Sequence, residues 1–219
     1  MRVVIAGGHG QIALRLERLL AACGDNPVGL IRNPEHATDL TAAGAQPVVA
    51  DLERVSVASL AAQLEGADAV VFAAGAGPGS GDDRKDTVDR GAAELLADAA
   101  IKAGVRRHVQ VSSMGADRQD MTGLDPTFAS YLRAKGAAED ALRERERELD
   151  WTILRPGGLT NEAGTGKVLL GPPSIGRGTI PRDDVAAVLL ALLDAPATAG
   201  RTLELISGTS SIADAVAGL

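Results

Sequence analysis

The 219 residues carry 29 acidic and 22 Lys or Arg side chains, and a net charge of -7 argues against a nucleic-acid footprint, which needs clustered positive charge. Aromatic residues make up only 2% of the chain, too few for base stacking, while apolar residues reach 45%, enough for a core of Val, Leu, Ile and Ala between helices. No apolar run approaches the ~20 residues of a spanning helix, the opening lacks a signal-peptide pattern, and Cys23 with three His offers neither a disulfide nor a metal set; the expectation is a cytoplasmic protein with no metal and no membrane partner.

In chain order, short apolar runs predict strands over 2–6, 28–31, 47–50, 68–73, 105–111, 151–154 and 202–206. Ala/Leu-rich helical spacing falls between them, over 11–23, 34–43, 56–65, 87–103, 127–149 and 183–194. This alternation predicts an α/β, doubly wound Rossmann fold: one domain over 1–219, with a mostly parallel sheet of about seven strands and helices on both faces.

The first strand runs into Gly7-Gly8-His9-Gly10-Gln11-Ile12-Ala13, readable as G-x-G-x-x-A or G-x-x-G-x-x-A. A residue without Cβ permits the tight turn, Gly10 lets the backbone approach a pyrophosphate, and Ala13 lets the helix pack closely. The helix then aims its unpaired N–H groups and positive dipole end at the phosphates. A glycine motif alone is weak, but strand-before and helix-after is its confirming context.

The second predicted strand leads to Arg32, where an NAD-preferring domain usually carries a carboxylate for the ribose hydroxyls. A guanidinium there suits a 2′-phosphate, so NADP is favoured over NAD; the bland alternative is a surface arginine at a strand end. Arg15 can assist, although solvation is its simpler fate. Asp51-Leu52 closes the third strand, where a backbone amide and the carboxylate can meet adenine. Ala73-Ala74-Gly75 after the fourth forms a small-residue floor for ribose, followed by a Gly-rich loop at 75–86.

Ser112-Ser113 ends the fifth strand at the sheet edge where such folds bind ligands. Tyr131 and Lys135, four apart on a predicted helix, share one face. A phenol ordinarily titrates near ~10, and a neighbouring ammonium favours the phenolate, which suits proton transfer near neutrality. A serine hydroxyl can orient the substrate oxygen, and the lysine can also bond the nicotinamide ribose. The plain alternative is a packed ring beside a snorkelling lysine. The run 143–150 (RERERELD) reads as a solvated helix end stitched by i,i+4 pairs. A long irregular segment at 156–181 follows the sixth strand and is expected to build a small substrate side over about 156–182. Within it, Gly164-Thr165-Gly166-Lys167 superficially suggests a triphosphate loop. Asn161 stands where the first glycine is required and Val168 follows the lysine, so that reading fails.

Together the glycine loop, Val111-Ser112-Ser113-Met114-Gly115, Tyr131-x-x-x-Lys135, Asp150-Trp151-Thr152-Ile153-Leu154-Arg155-Pro156-Gly157 and Arg182-Asp183-Asp184-Val185-Ala186 resemble the atypical short-chain dehydrogenase/reductase family, in its compact NAD(P)H-binding, NmrA-like and epimerase-like branch. The likeness runs over almost the whole chain. It implies that Gly7, Gly8, His9, Gly10, Gln11 and Ile12 bind the pyrophosphate and Arg32 the adenosine phosphate. It further implies that Ser113, with Ser112 the less favoured neighbour, holds a substrate carbonyl. Tyr131 would move the proton, Lys135 would support Tyr131 and the ribose, and Pro156-Gly157-Gly158-Leu159 would border the nicotinamide. Where related enzymes often carry an Asn on the preceding helix, this chain has Asp89. The implied activity is NADP-dependent reduction of a small carbonyl or similar electrophile. A dinucleotide sensor without catalysis, or a flavin or quinone reductase that does not use the tyrosine, remain alternatives.

Overall fold

The computed structural model describes residues 1–77 and 84–219. Residues 78–83, half of the Gly-rich loop expected at 75–86, therefore lie outside the described residues.

Seven of the strands are those expected from the apolar runs: β1 (Arg2–Ala6), β2 (Asn26–Ile31), β3 (Gln46–Val49), β4 (Ala69–Phe72), β5 (Arg107–Val111), β6 (Asp150–Pro156) and, later in the chain, β10 (Arg201–Ser207). They lie parallel in the order β3-β2-β1-β4-β5-β6-β10. The sheet has nine strands rather than seven. β8 (Lys167–Gly171) adds antiparallel to β10, and β11 (Ser210–Ser211) antiparallel to β8. Two further short strands, β7 (Gly158–Thr160) and β9 (Thr179–Pro181), pair with each other in parallel. The segment 156–181, expected to be irregular, thus carries the three short strands β7, β8 and β9, with irregular chain at 161–166 and 172–178 between them.

Helices cover both faces because the strands are apolar on both sides. On one face α1 (Gln11–Ala22) and α6 (Arg182–Leu193) pack over Val3, Ile5, Val71 and Val109, with α7 (Ile212–Ala217) at the edge. On the other, α3 (Val57–Leu64), α4 (Ala92–Ala103) and α5 (Pro126–Arg143) cover Val4, Val70, Phe72 and Ile153. The helix expected over 34–43 is a 3-10 turn, Pro34–His36, followed by α2 (Ala37–Ala42), and α4 is entered through a π-helical turn, Lys85–Gly91.

The charged run at 143–150 does not continue α5. The helix stops at Arg143, and the i,i+4 ladder gives way to contacts with other elements: Arg145 Nη2 pairs with Asp98 at 2.7 Å, and Arg106 with Asp150 at 3.0 Å. Strand order reverses between β1 and β4, so a crevice opens at their carboxyl ends, the place where doubly wound sheets take ligands. Among the described residues no helix is long and apolar enough to cross a membrane.

Candidate functional site

Three adjoining hollows run along this edge. The first, about 300 Å³, is lined by Gly7, His9, Gly10, Arg32, Asp51 and Leu52, among others. The second, about 500 Å³, shares the floor Ala73-Ala74-Gly75 with the first and adds Ile12, Ser112, Tyr131 and Lys135. The third is an open cleft of about 850 Å³ that shares Phe128, Tyr131, Pro156 and Leu159 with the second. Ser113, Gly157 and Gly158 line only this outer cleft.

The glycine loop divides its labour. Gly7 has φ +81°, and a Cβ there would stand 2.6 Å from Ala74 Cα, so the turn from β1 into α1 packs against the end of β4 only around glycine. Gly10 N–H donates to Gly7 O at 2.8 Å, fixing the turn just ahead of α1. Gly8 does not line the first hollow. It is buried against Gly29, whose Cα would be 2.7 Å from an added Cβ, so this glycine serves packing beneath the loop. Gln11 is exposed and outside the hollows; its carbonyl accepts from Arg15 Nη1 at 2.8 Å. Arg15 is not simply solvated, for its Nε also donates to Asp183 on α6.

The opening of α1 is the electrostatic centre of this region. Gly10 supplies no side-chain cap, and the first turn holds no acidic residue. The helix therefore presents its first-turn amides and dipole uncompensated toward the crevice. An uncapped helix end behind a turn that excludes Cβ atoms fits a pyrophosphate, so the residues suit a pyridine dinucleotide.

Three residues of the first hollow escape sequence reasoning. Glu53 pairs with both Arg32 (3.1 Å) and Arg84 (3.3 Å), and accepts from Thr87 Oγ1 at 2.7 Å. The Thr87 hydrogen bond, then the two guanidinium groups, hold the Glu53 carboxyl below its ordinary range. Arg32 is thus joined by a second arginine, and both share one counter-ion. His36 stacks on His9 with ring centroids 3.6 Å apart, and His9 Nε2 lies 2.8 Å from Asp39. None of these carries a local motif, because each reaches the hollow from a separate turn.

In the second hollow Lys135 is buried and held from three sides. Its Nζ stands 3.2 Å from Asp89 Oδ1 and donates to Ala74 O (3.4 Å) and Val111 O (3.3 Å). Asp89 also accepts from Ala76 N–H at 3.2 Å, tying the floor to the lysine. Nζ lies 5.8 Å from the Tyr131 ring centre and 5.4 Å from that of Phe72. Tyr131 itself packs against Phe128, centroids 5.9 Å apart.

The two serines part company, as neighbours on an extended strand end must. Ser112 turns inward and donates to Glu139 Oε1 at 2.6 Å; its hydroxyl is committed to a buried network. There Arg155 grips Glu139 through Nε (2.8 Å) and Nη2 (2.5 Å) and reaches Asp117 at 2.6 Å. Ser113 faces the outer cleft, where its hydroxyl donates to the Met114 carbonyl at 3.3 Å and has no other side-chain hydrogen bond among the described residues.

Comparison with known proteins agrees with this architecture. Residues 7–196 match the family described as NAD(P)H-binding. An uncharacterised sugar epimerase of Bacillus subtilis, YhfK, is 37% identical over 217 residues, 99% of each chain. Among solved structures, a putative NAD-dependent epimerase/dehydratase from Bacillus halodurans is 38% identical, covers 100% of both chains and superposes with a TM-score of 0.90. ChuY, an anaerobillin reductase from Escherichia coli O157:H7, is 29% identical over 94% of this chain and 97% of its own, with a TM-score of 0.78. The chain belongs to the NAD(P)H-binding family, with a Rossmann-type, short-chain dehydrogenase/reductase-like fold.

Proposed function

We propose that the chain is an NADP-dependent oxidoreductase that reduces a small carbonyl compound, with Tyr131 as the proton donor. One observation carries this reading: the phenol stands on the partition between the inner hollow and the outer cleft. A substrate in the cleft would meet a proton donor on one side and the cofactor chamber on the other. Kinship with a protein described as a reductase supports the same reaction class.

The cofactor would lie with its adenosine end over Asp51 and Leu52, its 2′-phosphate toward Arg32 and Arg84, and its pyrophosphate on Gly7, His9, Gly10 and the α1 amides. Ala73, Ala74 and Gly75 would floor the ribose. When bound, NADPH supplies a hydride with two electrons to the carbonyl carbon and is left as NADP+. Tyr131 then donates its hydroxyl proton to the substrate oxygen, where the former C=O π pair resides, so aldehyde becomes alcohol. Solvent in the open cleft restores the proton to Tyr131. Lys135, fixed by Asp89 and two carbonyls, places positive charge beneath the ring as the phenol loses its proton. Ser113 orients the carbonyl oxygen; Ser112, bonded to Glu139, steadies the strand end rather than touching substrate. The chain would act as one domain, with 156–182 forming the substrate side. The exposed thiol of Cys23 suits a reducing cytoplasm.

Replacing Tyr131 with Phe should lower NADPH-dependent turnover on the order of 10²–10⁴-fold, the usual weight of a positioned proton donor. NADPH affinity should survive. Undiminished turnover would overturn the mechanism. It would favour a second reading, for which the saturated bonding of Lys135 speaks: a flavin or quinone reductase, or a dinucleotide sensor, that makes no use of the phenol.

A further inference from the structure

The outer cleft is cationic in an acidic protein. Arg118, Arg177 and Arg182 line it, against two acidic side chains, Asp117 and Glu204. Both acids are already engaged elsewhere. Asp117 accepts from the buried Arg155 at 2.6 Å, and Glu204 accepts the amides of Ser174 (2.9 Å) and Ile175 (3.3 Å). Arg182 donates to the neutral Asn161 side chain at 2.9 Å, and no carboxylate among the described residues pairs with it. The following carboxylates turn away: Asp183 pairs with Arg15, and Asp184 takes the amides of Thr165 (2.9 Å) and Gly166 (2.8 Å). Arg177 rides a loop that Glu204 pins at Ser174, a non-glycine residue held at φ +94°.

The same cleft has an apolar wall. Phe128 and Leu159 are two of the exposed large hydrophobic residues, and both border it beside Tyr131. Exposed apolar side chains and guanidinium groups lining one hollow form a pattern that an amphipathic ligand satisfies and water does not.

Building on the proposed reductase reading, we propose that the substrate is an organic anion: an apolar body seated on Phe128 and Leu159, with a carboxylate or phosphate held by Arg177 and Arg182. Guanidinium forks recognise both groups through paired N–H donors. The reducible carbon then lies at the apolar end, next to Tyr131, and the charged end is kept away from the dinucleotide phosphates.

Two measurements separate this inference from the reaction it rests on. The first is calorimetric binding to the NADP+-loaded protein of 4-methylbenzoate, 4-methylphenyl phosphate and the neutral 4-methylbenzamide. At least one anion should bind tenfold or more tighter than the amide, about the weight of one charge-assisted contact. That preference should collapse in Arg177→Gln/Arg182→Gln, whose unchanged NADPH affinity verifies folding. The preferred anion tells carboxylate from phosphate. The second is NADPH oxidation with 4-carboxybenzaldehyde and methyl 4-formylbenzoate, read as the acid-to-ester ratio of kcat/KM in wild type and variant. Arginine-dependent anion binding without turnover of either aldehyde would keep the anion site and remove the reductase reading. Equal turnover of acid and ester would keep the reductase and overturn the anion. Equal binding of amide and anions, or a preference that survives the double substitution, would also overturn it.

Discussion

Two glycine-rich loops in this chain differ in what answers their amides. In the first, Gly8 and Gly10 N–H donate to the carbonyls of Leu30 and Gly7, and no acid meets the helix that follows. In the second the acceptors are carboxylates. Around Gly7–Gly10 the turn ends at α1, which has neither a side-chain cap nor an acid in its first turn. Around Gly164–Lys167 the amides are already filled by the protein itself. Gly164 N–H donates to Asp183 at 3.2 Å, and Thr165 and Gly166 donate to the two oxygens of Asp184 at 2.9 and 2.8 Å. An internal carboxylate occupies the position an external phosphate would want. Helices α3, α5 and α7 are likewise capped from within, by Ser56, Asp125 and Ser211. A glycine loop is therefore diagnostic of anion binding only where the chain withholds its own anion.

The contrast breaks most sharply at Gly7. With φ +81° and a Cβ position 2.6 Å from Ala74, Gly7→Ala should lower NADPH affinity on the order of a hundredfold, by moving several charged contacts at once. Left-handed strain should also cost roughly 1–2 kcal/mol of stability. Gly166→Ala is the matched control, since its φ of +65° imposes similar strain with no atom within 4 Å of the added Cβ. It should lose comparable backbone stability and keep cofactor binding, by calorimetry and denaturant melts. Equal losses of affinity in the two variants would erase the distinction between the loops.

Beneath the first loop lies a pH-dependent element. Glu17 on α1 is fully buried under Gly8 and Gly29, and burial pushes its carboxyl up to about 8, with Arg18 pulling weakly downward. Among the described residues neither of its oxygens has a hydrogen-bond partner. Its folded pKa lies above its unfolded value, so the folded chain holds the extra proton between about pH 4.5 and 8. Stability then falls as pH rises through that window, by at most about 1.4 kcal/mol per unit, and levels off above it. Glu17→Gln should remove the slope and leave the variant on the order of 2 kcal/mol more stable than wild type at pH 8, with little difference near pH 5. Urea midpoints across pH test this; parallel curves for the two proteins would refute it.

The second loop offers a smaller handle. Asp184→Asn retains the shape but loses the charge that two amides share, and should cost about 1–3 kcal/mol in thermal or denaturant unfolding. NADPH affinity should not change. A loss of cofactor binding there would mean that the 164–167 loop, too, communicates with the dinucleotide.

These loops also show what could be read from the chain in advance. The seven parallel strands and the first glycine turn were legible because each is a local pattern: apolar run, turn, helix. Strands β7 and β9 were hidden because they are three residues long and, among the described residues, pair as strands with each other alone. β8 was hidden among Gly and Pro, and its alternate burial makes sense only beside β10. The end of α5 was misplaced because Arg and Glu are good helix formers. Nothing local stops the helix at Arg143; the chain must turn there to enter β6. Tyr131 and Lys135 were legible by spacing. The division of Ser112 from Ser113 was not, because alternation says that they face apart but not which one meets Glu139. Arg84, Glu53 and the cleft arginines were invisible because only tertiary structure brings them together.

Arg32 gives the smallest and most discriminating test. Its side chain is 56% exposed and shares Glu53 with Arg84, so it is one of two cations on one counter-ion. An exposed, paired guanidinium contributes modestly, and Arg84 remains to meet a phosphate after its removal. Arg32→Ala should therefore weaken NADPH by only about tenfold, near one charge-assisted hydrogen bond. NADH should respond differently. Removing Arg32 leaves Glu53 freer to accept from the adenosine ribose hydroxyls, the role a carboxylate plays in NAD-preferring relatives of this fold. NADH affinity should then hold steady or rise, and the double change Arg32→Ala/Arg84→Ala should widen the gap further. Titrations with both cofactors decide the matter, because equal losses for NADPH and NADH would show that Arg32 supports the pocket wall and does not read the 2′-phosphate.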